Sequence, residues 1–280
     1  MRRTLLLAVA LGLTVGLTLS LTTVAFALWT PKAEPGPLVV AGGGGTTAAI
    51  SDELFRLGGG KDARMVLIPW ASEDPNQGKE LEVFWKEKGA THAVAIAEDA
   101  TLAKQQLAEA QIIWMGGGDQ KVLFDKLKAL GLDTEIARRH REGCVVGGTS
   151  AGAAIQSRAM ILGGELADLQ SIKVGGTQLG EGLDLLGDAI VDQHFIKRQR
   201  FTRLLAAVLD RPQLVGMGVE ERTAAIVRGS RVQVVGEGQV LVIDARKAQL
   251  QPCEVGAQHS ARGLRLDVLR AGDAYDWNQR

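Results

Sequence analysis

The sequence predicts an α/β protein, a mostly parallel sheet with helices on both faces, followed by a C-terminal antiparallel β meander. Three observations carry this prediction. Short, continuous apolar runs recur along the chain, several ending in glycine clusters, as strands buried on both faces require. Segments with apolar residues at helical spacing alternate with them. From Thr223 onward the helical pattern gives way to β-rich runs at hairpin spacing. With 280 residues, of which 46% are apolar, the chain can bury a large core and is not a disordered protein. Its 32 basic and 32 acidic residues balance, which argues against a nucleic-acid partner. Two cysteines are too few for a disulfide-stapled scaffold or a four-cysteine zinc site.

The N-terminus speaks of address. Arg2 and Arg3 precede a charge-free apolar run over residues 5–27 that closes on Ala25-Phe26-Ala27. A basic start, an apolar stretch and an A-x-A site read as a secretory leader. The run is also long enough for an uncleaved spanning helix, and Trp29 and Lys32 suit a membrane interface. Residues 1–27 are therefore expected to be a signal peptide or membrane anchor, and the rest exported, periplasmic or extracellular. Residues 28–37 form a proline-rich linker, and residues 38–280 are expected to be a single domain.

Within that domain the elements follow in order. Leu38-Val39-Val40-Ala41 is a strand ending in Gly42 to Gly45, and Ile50, Leu54, Phe55 and Leu57 mark a helix closing at Gly58. Strands are expected at 65–69, 92–96, 112–115 and 144–146, with helices near 80–88, 101–110 and through Leu123, Leu127 and Leu130. Cys144 reads as a small buried core residue, although in an oxidising compartment it could pair with Cys253. Apolar runs at 189–194 and 214–219 follow. The runs 224–228, 231–235 and 239–244, separated by Gly229-Ser230 and Gly236-Glu237-Gly238, make the meander.

The strongest chemical signal is Gly148-Thr149-Ser150-Ala151-Gly152, between a buried strand and a predicted helix over 153–160. This is a G-x-S-x-G elbow in its required context, a sharp turn that lifts a serine hydroxyl clear of the sheet. The Ala151 N–H is placed to bind an oxyanion if Ser150 attacks a carbonyl. A second donor should come from the bare backbone of Gly116-Gly117-Gly118, and Gly117 and Gly118 are the candidates. Gly42 to Gly45 lacks the spacing of a phosphate loop and reads as a tight βα turn.

A nucleophilic serine needs a base. His140 lies in a charged helix end and is expected to be solvated. His92 has no acidic neighbour, and His259 sits in a polar, turn-rich stretch. His194 ends an apolar run, where parallel strands deliver functional side chains, and is the favoured base. The orienting acid should come from Glu220-Glu221, of which one only should turn inward, since neighbours on an extended chain face opposite ways. Spacing alone leaves that choice open. A Ser…acid…His order built from Glu221 and His259 is the alternative.

These residues carry a resemblance. Gly116-Gly117-Gly118-Asp119-Gln120, Gly147-Gly148-Thr149-Ser150-Ala151-Gly152-Ala153, Asp192-Gln193-His194-Phe195 with Arg198, Arg200 and Arg203, and Gly218-Val219-Glu220-Glu221-Arg222-Thr223-Ala224 resemble the cyanophycinase branch of the serine peptidase family that also contains aspartyl dipeptidases. The resemblance implies a glutamine-amidotransferase-like sheet and a triad of Ser150 as nucleophile, His194 as base and Glu221 as acid. Glu220 departs mildly from the family's usual Asp-Glu pair. By matching position, Gln120, Gln193 and Arg198 help hold the aspartyl part of a peptide substrate, a guanidinium being suited to gripping a carboxylate. The alternative for Arg198, with Arg200 and Arg203, is a solvated basic face. The implied reaction is hydrolysis of β-aspartyl-linked peptides such as cyanophycin through an acyl-enzyme, with no metal or other cofactor, in a protein expected to be a homodimer.

Overall fold

The computed structural model describes residues 34–162 and 171–279. The expected leader over 1–27, the linker as far as residue 33 and the stretch 163–170 lie outside the described residues. No helix among the described residues is long and apolar enough to cross a membrane.

Five parallel strands form the heart of the main sheet: β1 (Leu38–Ala41), β2 (Arg64–Ile68), β3 (His92–Ala95), β4 (Ile112–Met115) and β5 (Val145–Thr149), in the order β1-β5-β4-β2-β3. The helices α1 (Ala48–Gly58), α2 (Gln77–Glu87), α3 (Ala100–Glu109), α4 (Gln120–Ala129) and α5 (Asp133–Arg141) lie between them in the chain. Side-chain caps start several of these helices. Thr47 Oγ1 accepts the Ile50 N–H, Asp99 accepts from Thr101 and Leu102, and Asp119 accepts from Lys121 and Val122. Asp119 of the Gly-Gly-Gly-Asp-Gln segment is thus the cap of α4. Strand residues alternate between two cores. Val39 and Ala41 join Ile50, Leu54, Trp85 and Trp114 on one face, and Leu38 and Val40 join Leu107, Leu123 and Ile136 on the other.

After β5 come α6 (Ala151–Ala154), β6 (Ala159–Ile161), β7 (Leu179–Glu181), β8 (Ala189–Gln193), α7 (Phe201–Asp210) and β9 (Val215–Val219). The helix expected over 153–160 is therefore only the single turn α6. Gln156 and Ser157 end it, because both are fully buried and spend their polar atoms on other elements. Gln156 Nε2 donates to Val39 O and Gly152 O, and Ser157 Oγ accepts the Val191 N–H at 2.9 Å.

The C-terminal run comprises β10 (Thr223–Arg228), β11 (Arg231–Gly236), β12 (Gln239–Asp244), β13 (Gln249–Gln251), β14 (Ser260–Arg262), β15 (Arg265–Arg270) and β16 (Ala274–Asp276). These strands are antiparallel, as expected, but they are shared between sheets. β10 pairs with β1, so β10, β11 and β16 extend the main sheet to eight strands. β12 leaves it and joins a second sheet of order β15-β12-β9-β8, in which β8 and β9 are parallel. The crossing puts Val232 and Val234 of β11 in one core cluster with Val240 and Val242 of β12. Face-to-face packing buries all four valines, which edge pairing would not do.

A buried ion pair fastens α7 to β8. Asp192, with no exposed surface, takes the Arg203 guanidinium through both oxygens, the Nε contact measuring 2.7 Å. Arg200 donates to Gln193, so Arg200 and Arg203 are buried rather than part of a solvated basic face. Removing one partner of such a pair strands a buried charge. Asp192→Asn is expected to lower the unfolding free energy by about 3 kcal/mol, read as an earlier denaturation midpoint at unchanged slope. A change below about 0.5 kcal/mol would mean that the pair is effectively solvated.

Candidate active site

The elbow at the end of β5 sets the serine. Ser150 has φ 54° and ψ −112°, a conformation that non-glycine residues hold only where their surroundings over-determine it. Gly148 and Gly152 allow the tightness. A Cβ on Gly148 would fall 2.3 Å from Gly152 O, and one on Gly152 would fall 2.2 Å from Met115 O. Ser150 Oγ thereby stands free of the sheet, 2.9 Å from His194 Nε2.

His194 follows β8 directly, and Glu220-Glu221 follows β9. These two strands pair in parallel with Gln193 opposite Val219, so the residues beyond them emerge side by side. His194 Nδ1 lies 2.7 Å from Glu221 Oε1. A carboxylate only accepts, so Nδ1 carries the proton and Nε2 is left as an acceptor for the serine hydroxyl. Glu220 turns the other way and accepts the Ile196 and Lys197 N–H groups, bracing the turn after His194. Opposite facings on an extended chain account for the split, as expected.

The electrostatics favour a neutral, accepting imidazole. Burial lowers the His194 pKa from its ordinary value, the Glu221 hydrogen bond opposes that, and the charges of Arg198 and Arg200 lower it further. Glu221 is held below the usual carboxylate range by its hydrogen bond from His194, with help from the charges of Lys197 and Arg198.

Backbone donors surround the serine. Among the described residues, the N–H groups of Gly117, Gly118 and Ala151 donate to no protein acceptor. Gly117 borders Ser150, since a Cβ there would lie 3.4 Å from Ser150 Cβ and 4.0 Å from Oγ. Gly118, at φ +140°, is pressed against Ala71, whose carbonyl a Cβ would strike. An anionic oxygen forming on a carbonyl attacked by Ser150 therefore has Ala151 and Gly117 as near donors.

The other expected site residues are placed differently. Gln120 is buried at the start of α4, with Nε2 donating to Ile161 O at 2.8 Å. Gln193 is buried and its oxygen is held by Arg200. Arg198 is exposed and acts on the site through its charge. Among the described residues, no hydrogen bond joins these three to Ser150.

The remaining histidines have other work. His140, expected to be solvated, is buried and bonds Gly36 O at 2.8 Å through Nε2, and burial lowers its pKa. His259 pairs with Asp210 at 3.0 Å, which removes the order built on Glu221 and His259. His92 is exposed. Both cysteines are free, and burial pushes the Cys144 thiol up to about 12. Among the described residues, no group of three or more His, Cys, Asp or Glu could hold a metal ion.

Sequence reading missed the part played by Gly42 to Gly45. Taken for a plain turn, this loop lies directly beneath the His194 and Glu221 side chains. Four successive glycines exceed what a βα turn requires, and that excess was the available signal.

The chain is similar to known proteins in sequence and in fold. The model of peptidase family S51 matches residues 38–235. A cyanophycinase from a Nostoc species is 32% identical over 267 residues, covering 90% of this chain and 89% of the relative. A cyanophycinase from Geminocystis herdmanii is 31% identical over 240 residues, covering 81% of this chain and 87% of the relative. Among solved structures, a peptidase from an acI-B1 actinobacterium aligns with a TM-score of 0.66 at 21% identity, over 88% of this chain and 98% of that one. A putative peptidase E protein from Listeria monocytogenes aligns with a TM-score of 0.53 at 18% identity, over 73% and 100%. These two structures share the fold. With the family model spanning most of the chain and relatives above 30% identity along nearly all of it, the chain belongs to peptidase family S51 and is a serine-type peptidase.

Proposed function

We propose that this protein hydrolyses β-aspartyl-linked peptides of the cyanophycin type, releasing β-Asp-Arg dipeptides, with Ser150, His194 and Glu221 as the catalytic triad. The observation that carries the reading is the unbroken hydrogen-bond line from Ser150 Oγ through His194 to Glu221. The cyanophycinase relatives, matched along most of their length, support the substrate class.

In this reading Ser150 Oγ attacks a substrate carbonyl while His194 Nε2 takes the hydroxyl proton. The carbonyl oxygen, now negative, is met by the N–H groups of Ala151 and Gly117, with Gly118 as the remaining candidate donor. His194 returns its proton to the leaving amine, and an acyl-enzyme forms on Ser150. Water, giving a proton to His194, then attacks the acyl carbon, and His194 passes that proton to Ser150 Oγ as the C–O bond breaks and the acid product leaves. Glu221 holds the productive tautomer and stabilises the imidazolium. No step calls for a metal or organic cofactor. Gln120, Gln193 and Arg198 are assigned to the aspartyl portion of the substrate. Gln193 is available through its amide nitrogen, because Arg200 occupies its oxygen, and Gln120 through its oxygen.

Residues 1–27 are proposed as an export leader or anchor, residues 38–280 as one peptidase domain, and the working form as a homodimer. A mature N-terminus beyond residue 27 in exported material is expected of a leader and an intact one on membrane-bound material of an anchor, in either case with a sedimenting mass twice that of the chain. An intact N-terminus on a cytoplasmic monomer would remove these assignments.

Incubation with cyanophycin is expected to release β-Asp-Arg dipeptides, detected by mass spectrometry, and Ser150→Ala is expected to abolish release. Full activity in Ser150→Ala would remove the nucleophile. Faster cleavage of simple α-linked aspartyl dipeptides than of the polymer would move the assignment to an aspartyl dipeptidase.

The pH profile has a definite sign. The base works only as neutral imidazole, and burial lowers the pKa of His194. The acid limb of kcat/KM is therefore expected below the ordinary imidazole value of about 6.5. Glu221→Gln takes away an anion that favours imidazolium, so the limb should move to lower pH still. The same change is expected to cut kcat by about 10²–10⁴-fold. An acid limb that moves upward in Glu221→Gln would contradict the assignment.

A further inference from the structure

Three successive carbonyls at the end of β1 receive backbone N–H groups from all three arms of the site. Ala41 O accepts from Ser150 at 3.0 Å, Gly42 O from His194 at 2.8 Å, and Gly43 O from Arg222, the residue after Glu221, at 2.7 Å. The three donating residues share a positive φ, of 54°, 50° and 57°. Non-glycine residues adopt it rarely, so its presence at all three arms marks a common restraint.

The same loop lacks side chains where those of the site come down on it. A Cβ on Gly43, itself at φ +98°, would fall 2.2 Å from His194 Cε1 and 2.4 Å from Nε2. A Cβ on Gly44, at φ +68°, would fall 2.6 Å from Glu221 Cβ and 2.8 Å from Oε2. One residue further, a Cβ on Gly45 would meet nothing nearer than 4.0 Å. A Cβ on Gly42 would fall 2.1 Å from the Glu220 backbone oxygen, so of the four glycines only Gly43 and Gly44 are closed by the His194 and Glu221 side chains.

The geometry points to residues 41–44 as the template that sets the mutual register of the triad, with Gly43 the positioning residue for His194 and Gly44 for Glu221. This rests on the reading of Ser150, His194 and Glu221 as the triad. The main sheet supplies Ser150 and the second sheet supplies the other two, so no ladder within either sheet fixes their separation. A single run of peptide that bonds to each arm does fix it. A methyl group on Gly43 would lift the imidazole away from Ser150, and a misplacement of about 1 Å costs on the order of 10²-fold in rate.

The test compares Gly43→Ala with Gly60→Ala. Gly60 has φ +113° and nothing within 4 Å of its Cβ position, so it isolates backbone strain from the clash. With cyanophycin as substrate, Gly43→Ala is expected to lose about 10²-fold in kcat with KM within about threefold. Gly60→Ala should stay within about twofold of the unaltered protein. Melting temperatures complete a cycle with His194→Ala. The drop caused by Gly43→Ala is expected to shrink once the imidazole is gone, because the two changes share one contact.

A kcat for Gly43→Ala equal to that of Gly60→Ala, or the same melting penalty with and without the imidazole, overturns the template. Should Gly43→Ala not fold, recovery of folding in Gly43→Ala/His194→Ala supports the template and continued failure overturns it. The melting cycle needs no substrate. If His194→Ala keeps full activity, or cyanophycin is not cleaved, the proposed function fails and the cycle still decides the template.

Discussion

Two sheets that share no ladder meet where His194 Nε2 faces the Ser150 hydroxyl at 2.9 Å, and much of the architecture serves to keep those atoms in reach. Sheets stacked face to face sit about 10 Å apart, too far for strand side chains alone to close a hydrogen bond across the gap. The chain crosses it with sharp turns placed just beyond the strands. Ser150 leaves β5 at positive φ, and His194 leaves β8 in the same state. The parallel pairing of β8 with β9 then delivers Glu221 beside His194, with nothing between them to adjust. Shared packing of valines from β10, β11, β9 and β12 holds the two sheets at the spacing these turns span.

Two acids compete for the neighbourhood of His194, and burial sorts them. Asp192 is only two residues away in sequence, yet it lies fully buried and is committed to Arg203. Glu221 is partly open to solvent and takes the imidazole. The sorting has a physical basis, because a buried carboxylate without a guanidinium partner would be too costly to keep ionised. Arg203 and Arg200 therefore do structural work that leaves the His194 imidazole a single acidic partner. Arg198, in the same basic run, stays exposed beside that pair. Three arginines that look alike in sequence divide into two buried clamps and one exposed surface charge.

Much of this was legible in the residues. Glycine-terminated apolar runs identify the parallel strands, since a strand buried on both faces has no polar side to show. The elbow around Ser150 is legible because few residue types tolerate so tight a turn, and His194 because it ends an apolar run beside the needed chemistry. Other features were hidden. His140 reads as solvated because its neighbours are charged, but burial depends on the Gly36 carbonyl, a hundred residues earlier in the chain. The helix after Ser150 looks longer than one turn because alanines favour helix, whereas Gln156 and Ser157 are drawn off by partners on β1 and β8. The terminal strands read as one meander because hairpin spacing says nothing about which sheet a strand joins.

By itself, the sequence determined the α/β class, the serine on its elbow, the histidine at the end of its run and an acid among Glu220 and Glu221. Each of these is a local property, written in periodicity, in glycine placement or in residue chemistry. Only the tertiary structure decided that β12 joins the second sheet and that Gly43 and Gly44 lie under the His194 and Glu221 side chains, and it turns Glu221 to the imidazole, a choice that spacing left open and the family resemblance implied. Those outcomes depend on contacts between separate segments, His194 and Glu221 lying 27 residues apart and the glycine loop far from both in the chain. A glycine records that a side chain must be absent, and only its spatial neighbours show what takes the space.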